Sequence, residues 1–222
     1  MRPIQNAGGH VGLTARSYPI AADTEIRLGQ VVKLSGALAV TAAANETGAI
    51  LGIAGENHPG AADVLNPRAN GDQILVYDNP ELIFECPVPT VTAASGSATT
   101  LVPQSGDVAA AIADDAFNGG VLVLRSKAVN SGNTDPVGKR ITVSDYAKSG
   151  TVLTKPSGGT PSAGDVYELY PPVGSAVGGL DSGRSQLVIS ATGAAAIKVV
   201  GHDYDRSMLR CMAVKHTLGG TN

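Results

Sequence analysis

The densest polar cluster in the chain is His202-Asp203-Tyr204-Asp205, three acceptors within four residues. Such a cluster suits a calcium or magnesium ion. No second segment of similar density stands ready to complete the shell, so a solvated turn is the simpler reading. The four histidines, His10, His58, His202 and His216, are never three or four residues apart, which removes the helical spacing of a metal site. Gly132 and Gly138-Lys139 mimic a phosphate-binding loop but have one residue too many between the glycines, and Arg140 replaces the hydroxyl. No Gly-x-Ser-x-Gly elbow and no Gly-x-Gly-x-x-Gly turn occurs. Asp114-Asp115, the adjacent acidic pair, reads as a helix end rather than as the paired carboxylates of a glycosidase. These residues point to no catalytic reaction, and no metal or cofactor is expected.

Composition narrows the classes further. The net charge is −3 and Lys139-Arg140 is the one adjacent basic pair, so neither nucleic acid nor an anionic membrane is favoured as a partner. No run approaches the roughly 18 apolar residues of a membrane helix, and the first ten residues lack the apolar stretch of a secretory signal. Charged residues make up 16% of the chain, against about 25% in ordinary domains. Such a surface is expected to be covered by partners or built from flat β faces. There is no Trp, which counts against aromatic platforms for sugars or bases. Cys86 and Cys211 each alternate with apolar residues and read as buried thiols rather than a disulfide, as suits a reducing cytoplasm.

The elements that must carry these residues are short apolar runs cut by Gly, Pro, Asn, Asp and Ser. They are Gln30–Leu34, Leu38–Thr41, Ile50–Ala54, Gln73–Tyr77, Leu82–Cys86 and Val121–Arg125, followed by Arg140–Val143, Val166–Tyr170, Leu187–Ser190, Ile197–Val200 and Met208–Lys215. Ser35-Gly36 supplies a hairpin turn between the first two. The pattern predicts an all-β fold, an antiparallel barrel or sandwich of jelly-roll or tulip type. At most one short helix is expected: Val108–Ala116, capped by Asp107, reads equally as a helix or as a loop. Asn130–Pro136 is an unbroken run of turn-formers and the best internal boundary. Beyond it, Gly164-Asp165-Val166 to Tyr170 echoes Gly71-Asp72-Gln73 to Tyr77. The expected organisation is an N-terminal arm over 1–20, a first β lobe over 21–129 and a second over 130–222, packed as one domain or two. Ile4, Leu13 and Tyr18 sit among polar residues of the arm, which is either a frayed terminus or a segment ordered against a partner.

Gly29-Gln30-Val31-Val32-Lys33-Leu34, Ile50-Leu51-Gly52-Ile53-Ala54 and Gly71-Asp72-Gln73-Ile74-Leu75-Val76-Tyr77 resemble the small β proteins that cement or decorate tailed-bacteriophage capsids. The match covers about a quarter of the chain, and residues 127–222 have no counterpart in it. The resemblance implies a non-enzymatic, head-stabilising virion protein, made in the host bacterial cytoplasm and placed on the capsid exterior. Its implied partners are the major capsid protein and further copies of itself, as a trimer or dimer. Ile4, Leu13 and Tyr18 would then anchor the arm on a neighbouring subunit. A tail, baseplate or fibre module, or a glycan-binding β domain, are the alternatives.

Overall fold

The computed structural model describes residues 2–6, 14–21, 24–43, 46, 48–60, 72–108, 112–180, 187–189, 196–217 and 220–221. It is all-β. In chain order the strands begin with β1 (Arg2–Asn6), β2 (Ala15–Pro19), β3 (Glu25–Ile26), β4 (Val31–Ser35), β5 (Leu38–Thr41), β6 (Gly52–Ala54), β7 (His58–Pro59) and β8 (Gln73–Tyr77). Next come β9 (Leu82–Pro87), β10 (Thr90–Gly96), β11 (Thr100–Pro103), β12 (Val121–Ser126), β13 (Arg140–Thr142), β14 (Asp145–Ala147), β15 (Val152–Thr154) and β16 (Val166–Tyr170). The last are β17 (Ala176–Leu180), β18 (Leu187–Ile189), β19 (Ile197–Asp203), β20 (Met208–Ala213), β21 (Lys215–His216) and β22 (Gly220–Thr221). Each apolar run picked out in the sequence contains a strand.

The strands pair antiparallel in three main sheets, ordered β2-β8-β6-β4-β5, β1-β9-β20-β19-β17-β18 and β13-β12-β16-β10-β11-β15-β14. Period-2 alternation sets which side chains face inward. Leu82, Phe84 and Cys86 of β9 meet Leu209 and Cys211 of β20 and Val199 of β19. The same core takes Leu122 and Leu124 of β12 and Tyr167 and Leu169 of β16, so the six- and seven-stranded sheets share one interior. A smaller core of Ile20, Ile26, Val32, Ala39, Leu51, Ala54, Ile74 and Val76 lies on the five-stranded sheet. Each fully buried Leu, Ile or Phe contributes about 1.5–3 kcal/mol.

Two expectations narrow. No helix is found among the described residues. Residues 109–111 lie outside them, and the Asp107 carboxylate caps no helix, because it accepts the Thr92 amide of β10 at 2.6 Å. No closed barrel is found either, although the seven-stranded sheet comes near to one. Its outermost strands β13 and β14 are separated in sequence by Val143 and Ser144 alone, a link that spans only about 10 Å. The sheet therefore curls until its ends approach, helped by register shifts between Ala93 and Ser95 and between Leu124 and Ser126. Ser144 donates its amide to Thr154 O at 2.9 Å across the meeting point. The Asn130–Pro136 run joins β12 to β13 inside this sheet, which draws strands from both sides of it.

Residues 2–6 and 15–19 are strands of the chain's own sheets. β1 pairs with β9, and β2 pairs with β8 from Ala15↔Tyr77 to Pro19↔Gln73. Close approach also fixes one glycine. A Cβ at Gly52 would lie 2.0 Å from the Tyr77 carbonyl oxygen, where β6 meets β8, whereas one at Gly36 meets nothing within 4 Å. Gly36, at φ +63, opens the two-residue β4–β5 loop, which is Gly36-Ala37 rather than Ser35-Gly36 because Ser35 pairs with Leu38. Gly52→Ala is therefore expected to destabilise the protein by several kcal/mol, as backbone strain in a packed interior does. Gly36→Ala should cost only about 1 kcal/mol. Urea unfolding midpoints of the two variants check the order.

Candidate functional site

Polar side chains converge where the turn between β19 and β20 folds over β12, β13 and β16. Glu168 of β16 stands opposite Val123 of β12, two residues from Arg125, which places the carboxylate and guanidinium on one face. Glu168 is buried, and Arg125 Nε lies 2.6 Å from its Oε1. Tyr170 donates its hydroxyl to Oε2 at 2.7 Å. Arg125 Nη2 in turn donates to Tyr204 O at 3.1 Å and Ser207 Oγ at 2.5 Å, both in the turn. Ser207 itself sits at φ +56. Burial would raise the Glu168 carboxyl, but the hydrogen bonds from Arg125 and Tyr170 outweigh it and hold the group below its usual range. Burial and the Glu168 carboxylate together push the Tyr170 hydroxyl far up.

The four-residue polar cluster of the sequence is this same turn, and its side chains diverge. His202 Nε2 lies 2.7 Å from Pro171 O, a pure acceptor, so Nε2 carries the proton and Nδ1 accepts the Tyr204 hydroxyl at 3.1 Å. Burial lowers the His202 pKa against the opposing pull of that carbonyl, so the ring is held neutral. Tyr204 stacks on Tyr170 with centroids 4.6 Å apart and carries the Arg140 guanidinium 4.1 Å above its own ring. Asp203 faces Arg206 at 3.7 Å and Arg210 at 3.4 Å. Asp205 is 97% exposed and reaches only to 4.0 Å from Arg140. Among the described residues no group of three His, Cys, Asp or Glu is gathered for a metal ion.

A second buried network supports the loops on either side of β13. Asp165 is fully buried and accepts the amides of Ala128 and Ser162, the Ser131 hydroxyl and the Asn133 side-chain amide, at 2.9–3.1 Å. Those bonds overcome the burial penalty and keep its carboxyl low. Asn133 also donates to the Tyr167 hydroxyl at 2.8 Å, a phenol that burial raises to about 12. Lys155, buried, donates to Ala98 O at 2.7 Å and Gly159 O at 3.0 Å. Lys139 pairs with Asp135 at 2.6 Å.

Two shallow clefts flank β13. One, of about 300 Å³, is lined by Val123, Arg125, Gly138, Arg140, Tyr204 and Asp205. The other, of about 220 Å³, runs between Lys139–Thr142 on one wall and Pro156-Ser157-Gly158 on the other, with Asp135 at its end. Arg140 lines both. The chemistry they offer is recognition of an anion or of a backbone.

The expected arm residues are placed unequally. Tyr18, on β2, is half-buried and gives its hydroxyl to the buried Asp78 carboxylate, with burial first and Asp78 second raising its pKa to about 12. Ile4 lies in β1, whose pairing with β9 shifts register between Pro3 and Gln5. Leu13 lies outside the described residues, as does His10. Cys86 and Cys211 are free and buried, with sulfurs 3.5 Å apart. The hydrogen bond shared with Cys86, then burial, raises the Cys211 thiol well above its ordinary value, which removes it as a nucleophile. Asp114 and Asp115 serve local turns, accepting the Lys148 amide and the Asn118 side-chain amide.

Sequence reasoning flagged the 202–205 turn and missed Arg125, Glu168, Asn133, Lys155 and Asp165. The available signal was a charge inside an apolar run, as with Glu168 between Tyr167 and Leu169. Comparison with protein-family models, curated proteins and solved structures finds no match for the chain.

Arg125→Met leaves Glu168 buried and unpaired and is expected to destabilise the fold by about 3 kcal/mol, read as a lower urea midpoint. The carboxyls of Glu168, Asp135 and Asp165 titrate lower in the fold than in the unfolded chain. Their contribution is complete above pH ~4.5 and lost as pH falls further. His202, lowered by burial, makes an earlier loss that begins below pH ~6.5. Thermal midpoints should therefore fall in two stages on acidification, and His202→Gln should remove the upper stage alone. Both thiols should stay unreactive to an aromatic disulfide reagent until urea unfolds the chain.

Proposed function

We propose that this chain is a structural protein of a tailed-bacteriophage virion, bound to the outer capsid surface and bridging major capsid protein subunits. What carries the reading is the placement of the three segments that resemble capsid-decorating proteins. Val31–Leu34 lies in β4, Gly52–Ala54 forms β6 and Gln73–Tyr77 forms β8, and these are adjacent strands of one sheet. Motifs separated by up to forty residues in sequence thus lie side by side in one sheet. Many copies on a symmetric lattice need only modest affinity each, because contacts within an array reinforce one another.

In this reading the protein folds in the host cytoplasm and adds to assembled heads as a small oligomer. Ile4 and Leu13 are the proposed arm anchors. Tyr18 serves less well, since its hydroxyl is already engaged by Asp78. β1 and β2 also cover the edges of β9 and β8 within the chain, so an anchoring role needs side chains rather than free strands.

The test is co-sedimentation of purified protein with undecorated heads and with tails. Saturable binding to heads, at a stoichiometry set by the lattice, together with resistance of those heads to heat or osmotic shock, is the expected result. Binding to tails alone, or to neither, overturns the proposal.

A further inference from the structure

The cleft beside β13 has the form of a missing strand. β13 is the outermost strand of its sheet and, among the described residues, pairs with β12 alone. The Lys139 carbonyl and the Val143 amide face β12, bonding to Leu124 and Gly120. By strand alternation the outward backbone groups are those of Arg140 and Thr142. They face the groove of about 220 Å³ whose far wall is Pro156-Ser157-Gly158. Pro156 has no amide to offer across it. At one end the walls are already joined by Ser144 N–H to Thr154 O, and at the other the Lys139–Asp135 pair lies against Gly158.

We infer that this seam is a docking site for an extended segment of a partner protein, added antiparallel to β13 with an acidic residue opposite Arg140. The backbone supplies the hydrogen bonds, as in other strand additions to open sheet edges. Charge chooses the occupant. Lys139 and Arg140 line the groove, and Asp135, the carboxylate within it, pairs with Lys139 through Oδ1 while its buried Oδ2 lies beside Gly158. Arg140 is left with fully exposed Asp205 at 4.0 Å, a contact too long and too wet to hold it. The Tyr204 ring fixes the guanidinium in place. A residue paired directly with Arg140 points its side chain to the same face, so a carboxylate there meets the guanidinium. The residue before it lies on the opposite face with Ile141 and should be apolar; the one opposite Thr142 should be β-branched. The pattern is Thr-Val-Glu or a close relative. The inference stands whether or not the partner lattice is a capsid.

The experiment titrates the intact protein into a fluorescent, end-capped peptide, Ser-Thr-Val-Glu-Val-Thr-Ser, and follows anisotropy. The expected result is saturable binding that weakens at least tenfold when the peptide Glu becomes Lys and in the variant Arg140→Gln. Thr142→Pro should weaken it similarly, because that proline removes an outward amide and leaves the ladder to β12 intact. Amide shifts on saturation should be confined to 139–142 and 157–158. Should Thr142→Pro not fold, Arg140→Gln and the charge-reversed peptide still decide the matter. No saturation at millimolar protein, equal binding of both peptides, or displacement by an oligothymidylate each overturn the inference. So does self-association of the protein that Arg140→Gln abolishes, which would assign the seam to a second copy.

Discussion

A buried carboxylate is tolerable only where its charge is met, and in this chain Arg125 meets it. One guanidinium faces Glu168 on β16 and holds the backbone and hydroxyl of the β19–β20 turn through Tyr204 and Ser207. Isolated burial of the Glu168 carboxylate would cost several kcal/mol, so it requires Arg125 in place. The turn is thereby pinned to the seven-stranded sheet, and the six-stranded sheet comes with it. Tyr204, fixed in this way, becomes the platform for Arg140 and the ring against which Tyr170 and His202 pack. Glu85 repeats the device on the other sheet. It is buried on β9 and takes both arms of Arg206 at 2.7–2.8 Å from the same turn. The turn is thus anchored at both ends by charge-assisted bonds, which are stronger than neutral ones.

The second network does for the seam what Arg125 does for the turn. The bonds to Asp165 fix the backbone at Ala128 and Ser162 and the side chains of Ser131 and Asn133, setting the approach to β13. Lys155, bonded to Ala98 and Gly159, fixes the opposite wall. Neither wall must be ordered when something enters between them, which spares the entropy that a flexible groove would lose. A Cβ at Gly159 would lie 2.2 Å from Asn133 Oδ1. The two walls therefore touch at that point through a residue that must lack a side chain.

Much of this architecture could be read from the residues alone. β8, β9, β12 and β16 announce themselves as short apolar runs, and Gly36 by its place between two such runs. β10 did not, because Thr90–Gly96 is mostly Thr, Ala, Ser and Gly, whose alternation of burial leaves little trace in hydrophobicity, and β11 did not, because its apolar part is only Leu101-Val102. Asp107 looked like a helix cap because its side chain suits any unpaired amide; the amide it found was Thr92 on a neighbouring strand. The Glu168 site was illegible for another reason. Its members come from positions 125, 168, 170, 204 and 207, brought together by pairing registers that no local spacing encodes. The His202–Asp205 turn was visible as a cluster, but the divergence of its side chains depends on arginines from three other places.

Why the curled sheet stops short of closure follows from the same residues. Closing it would require β13 to pair with the chain after β15, but that chain is Pro156-Ser157-Gly158, with one amide missing and Gly158 pressed against the Asp135 carboxylate. The edge left open is a hazard, because unpaired strands recruit other strands indiscriminately. Here it is three residues long and bears Arg140, with Lys139 beside it. A second copy of β13 brought alongside would oppose like charges directly, which disfavours edge-to-edge aggregation. The same charges favour a strand of opposite sign. Shortness and positive charge therefore protect the edge from its own kind while leaving it selective for an acidic partner, and the absence of a closing strand becomes a source of specificity.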